Sequence, residues 1–240
     1  MATTTINGNA ADGRVSKAHY SATWAQIRDA NTGIASGTSD ASSLGLTQIQ
    51  KWAGGYIVIR SFFWFDTTAI NASGDTVTAV TLKIRGLTYG TSDVIVVKSN
   101  AFGGDGSAAL SAGSFDGMPG WTDGASQAGN VTDYSSEVST WSTSGYNDIT
   151  LNATARTDVQ NNDAFIICLM DYDYDYTNNA IPSGYALSGG YFADDSSYPP
   201  QLVVEHASAG YGHTVLTVAA ANISTVKGVA TANISEVIGT

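Results

Sequence analysis

Tyr56-Ile57-Val58-Ile59-Arg60-Ser61-Phe62-Phe63-Trp64-Phe65 is the stretch on which the fold turns. β-Branched and aromatic residues dominate it, as a pleated, packed surface requires. Alternation puts Ile57, Ile59, Phe63 and Phe65 on one face, and Tyr56, Val58, Arg60, Phe62 and Trp64 on the other. Both faces are largely apolar, so the segment is expected to be a central strand covered on both sides. Each fully buried large side chain contributes roughly 1.5–3 kcal/mol, so this strand alone supplies much of a core.

The pattern continues outward. Asp66 and the turn Asn71-Ala72-Ser73-Gly74-Asp75 end the strand, and Val77–Arg85 follows with a clean apolar face at Val80, Leu82 and Ile84. Asp93–Lys98 reads as a third strand, Ala164–Met170 as one buried on both faces, and Gln201–Glu205 as a closing strand entered through Pro199-Pro200. Residues 1–50 read as short strands and loops. The stretch 99–148 is Gly/Ser/Asp-rich yet carries Phe102, Phe115, Trp121, Tyr134, Trp141 and Tyr146. A structureless stretch of that length is rare inside a compact domain, so short strands joined by wide loops are expected there. Asn152–Gln160 suggests one helical turn, with Asn152 or Thr154 as cap and Val159 buried.

Composition agrees with many strands and turns. Of 240 residues, 43% are hydrophobic and 13% charged, against about 25% charged in an ordinary soluble domain. The net charge is −11, and 18 of the 21 acids are Asp, a turn residue. An acidic chain without clustered cations opposes a phosphate-binding, nucleic-acid-binding surface. No run approaches the roughly 20 apolar residues of a membrane span. Met1–Ile6 has neither a basic nor an apolar leader region, which reads as synthesis without a secretory signal. Cys168 is the only cysteine, which excludes an internal disulfide, and it reads as a buried small hydrophobe.

The tail has a different character. Residues 218–228 are VAAANISTVKG and residues 229–239 are VATANISEVIG, identical at eight of eleven positions. Two copies are too few for a solenoid. An apolar pair recurs, Ile223/Val226 and then Ile234/Val237, and so short a fragment cannot bury it alone. Packing on the domain and docking to another chain both remain open, and the second is the favoured expectation.

Chemistry-bearing patterns are sparse. Gly124-Ala125-Ser126-Gln127-Ala128 lacks the closing glycine of a nucleophile elbow, and His19, His206 and His213 are scattered. Carboxylates are plentiful but sit in turn contexts, so no catalytic residue is assigned and the chain is read as non-enzymatic. Asp171-Tyr172-Asp173-Tyr174-Asp175-Tyr176 is the most pointed run. If extended, it puts Asp171, Asp173 and Asp175 on one face, either solvated, facing a partner or holding a structural calcium. Trp121, Trp141, Tyr172, Tyr174, Tyr176, Tyr185 and Tyr191 form the candidate glycan or partner surface, with core and loop-anchor duty as the alternative.

The run Arg60–Ile70, the Gly-Asp turn and Val77–Ile84 resemble the DNRLRE-type jelly-roll family, with its Arg–aromatic–Phe-Asp strand and Ile-Thr-x-Ala-x-Leu strand. Tyr198–Val204 looks like that family's Arg-Pro-x-Leu-x-Val close. Tyr198 or Pro199 stands where the family has Arg, and Asn71 where its turn has Pro. The tail units Asn222–Val229 and Asn233–Gly239 resemble C-terminal repeats of phage structural proteins. The resemblance implies an all-β jelly-roll β-sandwich over residues 1–207 and an attachment or assembly tail over 208–240. It also implies a virion structural protein of a bacteriophage: a capsid decoration, head fibre or tail-associated adhesion protein at the virion surface. The partners would be other virion proteins or copies of itself. The alternative is a carbohydrate-binding module of a secreted or cell-surface protein.

Overall fold

The computed structural model describes residues 1–36 and 41–208, with the backbone of 225–226 and 229–230. Eleven strands form one continuous antiparallel sheet that folds over on itself. In chain order they are β1 (Ala2–Asn7), β2 (Gly13–His19), β3 (Ile34–Ser36), β4 (Ser42–Lys51), β5 (Tyr56–Asp66), β6 (Thr76–Gly90), β7 (Val94–Lys98), β8 (Tyr146–Thr150), β9 (Ala164–Asp171), β10 (Gly184–Tyr191) and β11 (Gln201–Ala207). Three helices, α1 (Trp24–Arg28), α2 (Thr68–Ser73) and α3 (Ala153–Asn161), sit in the connections. The expected all-β fold is what the chain adopts.

One wall is β1-β11-β6-β8, and the other is β3-β2-β5 with β4, β10, β9 and β7. The long strand β6 belongs to both. Thr76–Arg85 pairs with β11 and β8, while Gly86–Gly90 pairs with β10. The hand-over happens at Gly86, where an added Cβ would lie 1.7 Å from the Ser142 carbonyl oxygen, so only glycine fits.

Between the walls lies the first core. Phe63 and Phe65 of β5, with Phe165, Ile167 and Leu169 of β9, meet Val80, Leu82 and Ile84 of β6 and Leu202 and Val204 of β11. A second core covers the opposite face of β5, β7 and β9. There Val58, Phe62, Ile166, Cys168 and Met170 pack under Ile27 of α1 and under Phe102, Leu110, Phe115, Met118 and Val131. Strand β5 is therefore central and covered on both sides, as its alternation requires.

Three expectations need correction. The stretch 99–145 is not a series of strands: among the described residues it pairs only through bridges from Asp133 and Val138 to β7. Positive φ at Gly103, Gly104, Gly106, Gly120, Gly124 and Gly129 breaks any extended run, and buried aromatics hold the loop down instead. Helix α3 is longer than one turn. Asn152 caps it by accepting the Ala155 N–H at 3.0 Å, and Val159 is buried. The Asp-Tyr run is not extended: Tyr172–Tyr176 forms a π-helical turn. Asp171 caps it by accepting the N–H of Tyr174 at 2.7 Å, a local bond that outcompetes continuation of β9.

In the tail, β12 (Thr225–Val226) pairs with β13 (Val229–Ala230) across the junction of the two repeats. Ile223, Ile234 and Val237 lie outside the described residues, and only the backbone of Val226 is given.

Candidate functional site

The helical turn at 172–176 changes the meaning of the three acids. Asp171 and Asp175 are fully buried, while Asp173 stays exposed, so the three do not share a face. Asp175 accepts two hydrogen bonds from Arg60, Nε to Oδ2 and Nη2 to Oδ1, both at 2.7 Å. Arg60 also donates to the carbonyls of Phe115 (2.5 Å) and Arg28 (2.9 Å). Arg28 donates to the carbonyls of Asp175 (2.7 Å) and Ala125 (2.9 Å) and pairs with Asp29 at 2.5 Å. Burial lowers the Arg28 pKa, and Asp175 opposes that shift. This knot of two arginines and two aspartates ties β5, α1, the 115–125 loop and the 172–176 turn together. Its charges are spent on each other, so Asp175 is not available to a calcium ion.

Asp171 is committed as well. Its Oδ2 accepts the Ser92 hydroxyl at 2.7 Å. Burial pushes its pKa up to about 7, with the Ser92 and backbone bonds opposing. Asp173 finds two other acids: one carboxylate oxygen each from Asp93, Glu137 and Asp173 lies within 4.8 Å of the others. Desolvation, then the neighbouring charge of Asp93, raises the Glu137 and Asp173 pKa values.

The aromatic set is dispersed. Trp121 lies over both buried guanidinium groups, 4.5 Å from Arg28 and 4.1 Å from Arg60, as a lid on the knot. Trp141 is buried and donates to the Gly189 carbonyl at 2.9 Å. Tyr176 is buried, stacks on Tyr172 at 5.3 Å and donates to Asp133 Oδ2 at 2.8 Å. Tyr174 is half-buried against the second core. Tyr191 packs on Tyr198 at 5.2 Å, and Tyr185 stands exposed on β10. Trp121, Trp141 and Tyr176 thus serve as anchors, and the seven residues form no single platform.

A different aromatic surface was missed in the sequence. Tyr20 stacks on Trp52 at 4.4 Å, and Trp24 meets Tyr56 edge-on at 5.4 Å. Lys51 Nζ lies 5.6 Å from the Tyr56 ring centre. Register builds this cluster: Tyr56 sits opposite His19 of β2 and Lys51 of β4. The β4–β5 turn reaches the end of β2 because an added Cβ at Gly55 would lie 1.8 Å from the His19 carbonyl oxygen. Tyr20 is 74% exposed, and no acid occurs in β2, β3, β4, β10 or the first ten residues of β5. In a chain of net charge −11, this is the acid-poor end. Linear spacing does not bring Tyr20, Trp24, Trp52 and Tyr56 together, although Trp52-Ala53-Gly54-Gly55 is a legible turn.

Two polar constellations complete the survey. A cleft of about 370 Å³ opens beside α3, lined by Asn71, Lys98, Asn100, Asp105, Asp158 and Asp163. Lys98 pairs with Asp158 at 2.8 Å, Tyr134 donates to the same carboxylate oxygen, and Asn71 donates to Asp163 at 2.8 Å. Burial, with Asp158 adding to it, pushes the Tyr134 phenol up and keeps it protonated. His206 lies within β11 rather than after it. Its Nδ1 is 2.6 Å from Asp75 Oδ2 and its Nε2 is 2.9 Å from Thr4 Oγ1. That has the connectivity of a nucleophile–base–acid chain. It lies, however, on edge strand β1, outside the described clefts, and it reads as a tie between β1, β11 and the start of β6. No helix of the described residues is long and apolar enough to cross a membrane. Neither a protein-family model nor a curated protein matches the chain, so the jelly-roll and phage-repeat resemblances rest on the residues that carry them.

Proposed function

We propose that the chain is a non-catalytic structural protein of a bacteriophage virion, a jelly-roll-like body displayed outward and attached through its duplicated C-terminal peptide. The observation that carries this reading is the repeat itself: eight identical positions of eleven, with Ile223/Val226 and Ile234/Val237 recurring. Both cores close with residues from β1 to β11, so neither needs the repeats. The polar groups that look most like chemistry, around Asp175 and Asp158, are engaged with each other, which supports a scaffold over an enzyme.

Size-exclusion chromatography with light scattering tests it, on the full chain, on residues 1–207 and on I223D/I234D. Association by the full chain alone supports the reading. A monomeric full chain that also fails to bind the particle overturns it. The Tyr20–Trp52 pair favours one second reading, a carbohydrate-binding module whose sugar ring stacks at this end of the sheet. Glycan binding lost in Y20A/W52A, with every form monomeric, would replace the first reading by the second.

A further inference from the structure

Asp12 ends the connection 8–12 between β1 and β2, one residue before β2 begins. Its side chain is completely buried. Oδ2 accepts the N–H of Ala193 at 2.9 Å, which stitches this loop to the β10–β11 connection, residues 192–200. A second stitch lies alongside, from the Gly8 N–H to the Pro200 carbonyl at 2.8 Å. The other oxygen, Oδ1, is buried and meets no hydrogen-bond partner. Among the described residues no Lys, Arg or His pairs with Asp12. The charge that acts on it is another negative one, the carboxylate of Asp194 on the facing loop.

An ionised carboxylate in the interior is tolerated when something of opposite charge answers it. Protonation removes the charge, but it leaves a buried O–H at Oδ1 without an acceptor. A hard cation meets both needs, because it balances two facing carboxylates and engages the lone pairs of Oδ1. We propose that Asp12 and Asp194 hold a hard divalent cation, Ca²⁺ in preference to Mg²⁺, at the junction of the 8–12 and 192–200 loops. Both protein ligands are carboxylates, the donor type of such ions. Asp194 is exposed, so water can fill the remaining positions of a calcium shell of six to eight oxygens. Mg²⁺ demands a stricter octahedron and gives up its water reluctantly, so it fits an irregular loop junction less well. Burial, with Asp194 adding to it, pushes the metal-free Asp12 carboxyl up to about 8, while the Ala193 bond opposes that shift; this is the signature of a group short of a counter-charge. The bound ion clamps the connection leading into β11, the strand from which the C-terminal tail departs. The inference stands apart from the proposed function, since any displayed β-body would be stiffened in this way.

The test uses the full chain, stripped with EDTA and dialysed. CaCl₂ or MgCl₂ alone is then titrated while thermal unfolding and calorimetric binding are followed at pH 7.5. The expected result is a melting temperature raised by several degrees with Ca²⁺, and by less with Mg²⁺. Asp194→Asn, an exposed change that leaves the metal-free fold intact, weakens Ca²⁺ binding about tenfold or more. Asp12→Asn retains an acceptor for Ala193 and abolishes the response. If Asp12→Asn does not fold, Asp194→Asn decides alone. No response of the wild type to either ion overturns the proposal. An equal response in Asp194→Asn overturns it too, and would place the ion elsewhere, such as at Asp93, Glu137 and Asp173.

Discussion

Asp175→Asn is the sharpest probe of how this protein is held together. The carboxylate receives Arg60 at 2.7 Å on each oxygen, and Arg28 Nε lies 3.6 Å from Oδ1. All three side chains are fully buried. The amide retains one acceptor and turns an NH₂ donor toward guanidinium donors, so one Arg60 bond is lost and a donor–donor contact replaces it. Asp29 alone then faces two buried cations. Breaking a buried pair by removing one partner costs about 3–5 kcal/mol. For a body of this size each kcal/mol lowers the melting temperature by about 2–4 °C, so the expected drop is about 6–20 °C. Thermal unfolding followed by circular dichroism reads it directly. The double change Arg60→Met with Asp175→Leu removes both charges and is expected to regain most of the loss, because an apolar pair needs no counter-charge. A melting temperature for Asp175→Asn within about 2 °C of wild type would refute the reasoning, since the charge would then be solvated or redundant.

Two further outcomes follow from burial. In metal-free buffer, Asp171 and Asp12 have folded pKa values raised to about 7 and about 8, so the native state binds more protons than the unfolded chain between about pH 4 and those values. Stability is therefore greatest at the acidic end of that window and falls as pH rises through it, and Asp171→Asn, which keeps the Tyr174 bond, should flatten the melting-temperature profile between pH 5 and 8 measured in EDTA. Cys168 is fully buried, and desolvation raises its thiol pKa against a small opposing effect of Arg60. A colourless-to-yellow thiol reagent should leave the native chain unlabelled and label one thiol per chain after unfolding in guanidinium, and fast native labelling would contradict the packing of β9.

Strand identity was readable in the linear chain wherever one rule governed several residues at once. Val80, Leu82 and Ile84 alternate with polar neighbours, and a period of two leaves one arrangement that buries them. The two apolar faces of Tyr56–Phe65 required cover on both sides, and two cores provide it. Helix α1 had a signal that went unread: Thr23 and Gln26 form a capping box, a local pattern three residues apart. The Asp-Tyr run was misread because alternation was assumed to mean an extended chain, although Asp171 at its head is a good cap.

The candidate sites were less legible, for a different reason. Arg60 and Asp175 are 115 positions apart, and Asp12 reaches Ala193 across 181. Tyr20 meets Trp52 because β2 and β4 both pair with β5 in the register that buries Val58 and Ile49. Local patterning, turn residues and the duplicated tail are properties of neighbours along the chain, so sequence alone settled the strands, the all-β class and the repeat. Which acid meets a cation, which aromatic is a lid and which stands in water depend on contacts between distant segments. Those contacts are fixed only when the sheet closes over its cores, because burial and register are collective and no single residue encodes them.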